Sequence, residues 1–151
     1  MNRFLIAALT IAAFAAATTA AAGARGKALK WMDSAGAGLP AGAKLAVLSG
    51  NPAKAGPFTL QIRMPADYAV PAHHHPGEEV VRVRSGTLNY GMGDKLDKTN
   101  AGTLTDPATH VTMHAGMNHW VFTTAPAVIE VTGAGPFAIV YADPKDDPRT
   151  K

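Results

Sequence analysis

Downstream of Leu45 this sequence arranges its apolar residues in short runs bounded by glycine, proline and asparagine, and no long stretch repeats them at the 3.6-residue spacing of a helix. A chain patterned in this way buries its apolar groups on the faces of short strands. The clearest run is 58–64, where Phe58, Leu60, Ile62 and Met64 alternate with Thr59, Gln61 and Arg63, so the apolar four share one face. Residues 79–84 alternate as well, with Glu79, Val81 and Val83 on one side and Val80, Arg82 and Arg84 on the other. Ser85-Gly86 then marks a turn into 87–92, which predicts a hairpin. Further strands are expected at 110–114, 119–124, 128–132 and 137–141, whereas 91–102 is charged, lacks apolar periodicity and reads as a loop. Seven or more short strands without an internal repeat predict an all-β sandwich or barrel.

The N-terminal residues are of a different kind. Arg3, the apolar stretch 4–17 and the small residues Ala20, Ala21 and Ala22 have the three parts of a secretory signal peptide, here 1–22. The apolar run is short and alanine-rich beside the roughly 20 residues a membrane span needs, so no stable membrane insertion is expected after cleavage. The implied destination is periplasmic or secreted. Taking 22 residues from 151 leaves about 129, enough for one domain with a single core. Residues 23–44, rich in alanine and glycine, read as an irregular N-terminal arm with at most a short strand, and 45–142 as the barrel. The polar, proline-broken tail 143–151 reads as a loose end.

Charge and cysteine content narrow the chemistry. The net charge is only +3 and no lysine or arginine block occurs, which argues against nucleic acid or an anionic membrane as partner. With no cysteine there are neither disulfides nor thiolate ligands, so any metal is held by nitrogen and oxygen.

All six histidines fall between 73 and 119. His73 and His75 are two apart and point the same way in an extended segment, which Pro76 favours for His75. Glu79 follows across Pro76-Gly77, a pair suited to turning the chain back. His119 stands after the turn 115–118 and opens the run Trp120-Val121-Phe122. Three imidazoles and a carboxylate leave two positions open on a six-coordinate ion and suit iron, manganese, zinc, nickel or copper as divalent cofactor. His74 points to the opposite face and is expected to be exposed or hydrogen-bonded. His114 and His110 share a strand face with Thr112, and His114 is a candidate for contact with the centre or its ligand.

On these residues the chain resembles the cupins. His73, one residue, His75, three residues, Glu79, six residues and Gly86 repeat the spacing of the first cupin motif, and Gly116, two residues, His119 matches part of the second. The chain departs from the pattern at His114, where proline is usual, and at Thr123, where asparagine is. Asp67 and Ala108 replace the glycines that open the two motifs. The resemblance spans roughly 58–141. It implies a double-stranded β-helix, a jelly-roll-like barrel, holding a metal on His73, His75, Glu79 and His119. The implied activity is that of a metal-dependent enzyme, an oxygenase, isomerase or lyase, acting on a small molecule. The alternative is a non-enzymatic module that senses or binds a metal or small ligand around a structural metal. No dedicated general base is evident; Glu79 leaving the metal, His114 and Tyr90 are the first to consider. A homodimer paired through sheet edges is also expected, because the arm around Trp31 has little else in sight to pack on.

Overall fold

The computed structural model describes residues 28–151; the expected signal peptide, 1–22, and the first residues of the expected arm lie outside the described residues. Eleven strands are described. They are β1 (Met32–Asp33), β2 (Lys44–Ser49), β3 (Gly56–Met64), β4 (Ala69–His74), β5 (Glu79–Ser85), β6 (Leu88–Met92), β7 (Gly102–Leu104), β8 (Val111–Met113), β9 (His119–Phe122), β10 (Ala127–Gly135) and β11 (Val140–Tyr141). They form two antiparallel sheets, one in the order β1-β2-β3-β10-β5-β8 and the other β11-β4-β9-β6-β7. This is the all-β jelly-roll barrel that the sequence implies.

The period-two patterns become the two inner faces. In β3 the four alternating apolar residues are all buried, and β10 sets Ile129 opposite Ile62 and Val131 opposite Leu60. On its other side β10 pairs Ile129 with Val83 and Val131 with Val81. Burying apolar side chains on adjacent central strands stabilises each by about 1.5–3 kcal/mol relative to exposure. Arg63 faces out from β3, and its guanidinium lies 3.8 Å over the Trp31 ring.

Two glycines are required by their surroundings. Gly86 turns the β5–β6 hairpin with φ of 77°, where a Cβ would also meet the Pro126 carbonyl. Gly91 lies under the Trp120 indole, whose ring occupies the space any side chain there would need.

The structure differs from the sequence reading in four places. Residues 91–102 are largely loop, but a packed one: Leu96 and Ala101 cover Ala72, Trp120 and Phe122 on the outer face of the second sheet, so β9 is buried on both faces. Of the expected strand 137–141 only Val140 and Tyr141 pair, because β10 extends to Gly135 and the chain then crosses to the other sheet.

The tail is not loose. Asp143 and Asp147 each accept a hydrogen bond from a backbone N–H two residues on, at 2.9 Å, starting 3₁₀ turns at Pro144–Asp146 and Pro148–Thr150. An Asp-Pro step that reads as a breaker works here as an N-cap followed by a proline at the first helical position. Arg149 then donates to the Ile139 carbonyl at 2.9 Å and packs on Gly38.

The arm, finally, has partners within its own chain, which removes the packing argument for a dimer. Between β1 and β2, which pair at the edge of the first sheet, the chain reaches across to β11 at the edge of the second. Tyr68 donates to the Pro40 carbonyl at 2.7 Å and Tyr141 to the Gly38 carbonyl at 2.9 Å, on either side of buried Leu39. Leu39 and Ala43 belong to the main core. Leu39→Ala is therefore expected to lower unfolding free energy by roughly 2–5 kcal/mol in a denaturant titration. A loss of under about 0.5 kcal/mol, the size of a surface substitution, would show that the segment is not part of the core.

Candidate metal centre

The centre is made by an irregularity in β4. Its pairing with β9 runs Ala69↔Phe122 and Val70↔Val121, then shifts before resuming at His73↔His119. The shift changes which residues face inward, so Val70 and His73 both line the interior although they are three apart, while Ala72 joins the outer cluster. His75 follows at the end of the strand, on the same side as His73. His119 opens β9 and Glu79 opens β5, so four polar residues meet at one end of the barrel interior.

All four are buried, each at 5% exposure or less. One ring nitrogen from each of His73, His75 and His119 lies within 4.8 Å of the other two. The remaining ring nitrogens are already engaged. The Nδ1 atoms of His73, His75 and His119 face the backbone carbonyls of Pro71, Ala138 and Met117 at 2.7, 2.8 and 3.1 Å. A carbonyl only accepts, so in the neutral ring Nδ1 carries the proton and Nε2 is left with its lone pair. Burial keeps the rings neutral: desolvation holds His73 well below the usual histidine value, lowers His75 to about 4, and lowers His119. Phe137 stacks on the His75 ring at 4.9 Å between centroids, and Tyr141 packs beside His73 at 5.9 Å.

Glu79 stands next to this trio, outside the set of converging nitrogens. Its Oε2 lies 3.3 Å from His75 Nε2, and its Oε1 is buried with no hydrogen-bond partner. Burial pushes its carboxyl up to about 8. Three converging lone pairs and an orphaned buried carboxylate oxygen are what a divalent cation satisfies, and the donor set fits one: neutral imidazoles oriented through Nδ1, with a carboxylate beside them.

The other sequence candidates are elsewhere. His74 faces the outside of the second sheet, with its Nδ1 2.9 Å from Asn118 Oδ1. His114 pairs with Glu78 at 2.9 Å on the surface, and His110 is exposed. Of the bulky side chains near the motifs, Met113 reaches the cavity, whereas Trp120 and Phe122 lie on the outer face and Tyr90 is absent from the lining. Sequence reasoning missed Phe137 and the three carbonyls that orient the rings. No local pattern marks a carbonyl 63 residues from the imidazole it meets, as Ala138 is from His75.

No protein-family model matches the chain, and no curated protein sequence does. Solved structures do. The chain is similar to the polyketide cyclase RemF from Streptomyces resistomycificus, with a TM-score of 0.58 and 14% identity over 70% of this chain and 75% of that one. It is similar to the DMSP lyase DddQ from Ruegeria pomeroyi DSS-3, with a TM-score of 0.58 and 22% identity over 75% of this chain and 60% of that one. An RmlC-like cupin from Shewanella frigidimarina aligns with a TM-score of 0.55 and 15% identity over 70% and 83% of the two chains. The chain has the cupin fold, and proteins that share it include enzymes.

In the metal-free protein the buried groups make stability depend on pH in opposite senses. The three histidines have folded-state pKa values below the usual 6.5, so stability is lost as pH falls below that value. Glu79 has a folded-state pKa above the usual 4.5, so its contribution is present at low pH and lost as pH rises through about 8. The histidine effect fades only about one unit above 6.5, where the unfolded imidazoles have lost their protons, so the Glu79 effect prevails only as pH approaches 8. Metal-free protein is expected to lose stability as pH approaches 8 in thermal or denaturant melts, by less than the roughly 1.4 kcal/mol per unit of one full proton, and Glu79→Gln to remove that loss. A Glu79→Gln profile parallel to that of wild type there would mean that Glu79 ionises without cost.

Proposed function

We propose that this chain is an exported cupin that holds one divalent transition metal on His73, His75, His119 and Glu79 and uses it as an enzyme on a small molecule within the barrel. The observation that carries the reading is the convergence of three proton-free imidazole nitrogens and an unpartnered carboxylate oxygen at one end of an otherwise apolar cavity. A bound divalent ion with open positions would supply a Lewis acid that polarises a carbonyl or enolate or activates dioxygen.

The chain's own residues shape what can approach. Among the described residues no lysine or arginine lines the cavity, so none of them is there to pair with a phosphate or carboxylate, and the fitting substrate is uncharged away from its metal-binding group. The space is about 40 Å³ against the 10–15 Å³ a single water needs, so it takes a few waters or the reacting end of a small ligand. Apolar walls such as Val70, Val121 and Ile139 exclude bulk water. Among the described residues beside the imidazoles, Glu79 is the group that would take up or release a proton on leaving the metal. Oxygenase, isomerase and lyase chemistry all fit such a site, and the DMSP lyase and polyketide cyclase with the same fold favour a reaction on a small organic molecule.

One observation favours the second reading, a non-enzymatic metal-binding or sensing module. Apart from the four proposed ligands, the polar groups nearest the cavity are spent: the Tyr68 hydroxyl, the one further polar group in its wall, and the neighbouring Tyr141 hydroxyl both bond to arm carbonyls.

Export is supported by the composition of residues 1–22 alone. Intact mass of protein recovered from its own compartment is expected to lack them, and a full-length mass would remove the export part of the proposal. Elemental analysis of that untagged protein is expected to find close to one transition metal per chain. Iron, copper or manganese would favour the enzyme, and zinc the sensing or structural role. His75→Ala is expected to lose the metal while the metal-free protein keeps its fold by circular dichroism. Wild type without stoichiometric metal, together with a His75→Ala variant of unchanged metal affinity and melting temperature, would overturn the metal reading.

A further inference from the structure

The face of the β4–β9 pair that turns away from the metal centre carries a second polar arrangement. His74 follows His73 and Asn118 precedes His119, so each of the two ligand strands places one polar residue on its reverse side. His74 Nδ1 lies 2.9 Å from Asn118 Oδ1, and Asn118 Nδ2 donates to Asp94 Oδ1 at 2.7 Å. The Asn118 backbone carbonyl also accepts from Gly93 N–H at 2.8 Å, fastening the residue to the loop that covers the second sheet.

The backbone ladder explains why a side-chain link matters at this point. Between β4 and β9 the pairing includes two residue pairs, the register shift, and then His73↔His119 as the last pair. Beyond it the ladder gives way to a single backbone bond, from Gly116 N–H to the His75 carbonyl at 2.9 Å. The ligand strands are therefore held at this end by one backbone bond and by their side chains. The His74–Asn118 bond is a side-chain link between them. Asn118 also follows Met117, whose carbonyl orients the His119 ring at 3.1 Å. A shift at Asn118 reaches His119 through one peptide unit.

Resting on the metal-centre reading above, we propose that Asn118, held between His74 and Asp94 on the outer face, is a positioning residue for the metal site. It sets the distance between the strand bearing His73 and His75 and the strand bearing His119, and it touches neither metal nor ligand. The role needs a side chain with an acceptor and a donor at one tip, because His74 donates to it and Asp94 accepts from it. Asparagine meets that need and aspartate does not, since a carboxylate at 118 would face the Asp94 carboxylate across the same 2.7 Å contact.

The test uses the mature protein stripped of metal and reloaded with cobalt(II), whose visible spectrum reports ligand geometry while competition titration gives affinity. Asn118→Ala and Asn118→Asp are expected to weaken cobalt binding about tenfold or more and to change the spectrum, the size of effect found when groups that orient ligands are removed. His74→Ala, which cuts the same link from the β4 side, is expected to do likewise. Asp94→Asn keeps an acceptor for the Asn118 amide and is expected to retain the affinity that Asp94→Ala loses. Melting of the metal-free proteins separates positioning from general weakening, since a residue that only stabilised the fold would lower that melting point and leave the cobalt spectrum unchanged. Wild-type affinity and spectrum in Asn118→Ala would overturn the inference while leaving the metal reading intact. If Asn118→Ala does not fold, His74→Ala decides on the same criteria. Failure of the wild type itself to bind cobalt would overturn both.

Discussion

The register shift in β4 decides what kind of interior this barrel has. Without it, strict alternation from Val70 would turn Ala72 and His74 inward and send His73 and His75 out with the residues that now face solvent and the covering loop. One extra residue on that strand places His73 and His75 beside Val70 on the inner face and opposite His119. The rest of the centre follows from this choice. Once the imidazoles are inside, they need acceptors for their Nδ1 protons, and the carbonyls of Pro71, Ala138 and Met117 provide them.

Burial makes the result electrostatically incomplete. A chain that only needed to fill this end of the barrel would place aliphatic side chains there, since burying polar groups without partners costs free energy. Instead three lone pairs face one another and a carboxyl is left with an unpartnered oxygen. Desolvation drives the histidines and Glu79 toward their neutral forms. A divalent cation reverses that logic, because its charge favours the ionised carboxylate and its empty orbitals use the lone pairs. Such an arrangement costs the metal-free fold some stability.

Closure of the barrel depends on segments outside the main strands. The arm crosses the seam between the two sheet edges, and Leu39 enters the core between two carbonyls held by Tyr68 and Tyr141. The C-terminal 3₁₀ turns bring Arg149 onto Gly38 and Ile139, so the arm and the tail brace the same seam. On the opposite side of the second sheet, the 93–101 loop shields Trp120 and Phe122. The site is thus walled from several directions by parts of the chain remote from one another in sequence.

The sequence by itself determined the strand architecture and the identity of the clustered side chains. Alternation in 58–64 and 79–84 is local, and period two is enough to assign a buried face. The spacing of His73, His75 and Glu79 is local too, His119 was legible from its place after a turn, and the family resemblance joined the four to the barrel. Tertiary structure alone decided the rest. The β4 register shift, the carbonyl that orients each imidazole, the Phe137 stack on His75, the arm in the seam and the capped tail leave little mark on the pattern of any one segment. The same holds for the burial that neutralises the histidines and raises Glu79. The Pro71 and Met117 carbonyls and the caps of the tail lie two residues from their partners, yet only the folded chain decides which turn or strand forms there; the others join residues far apart in sequence, and the solvation of a side chain is set by what packs over it.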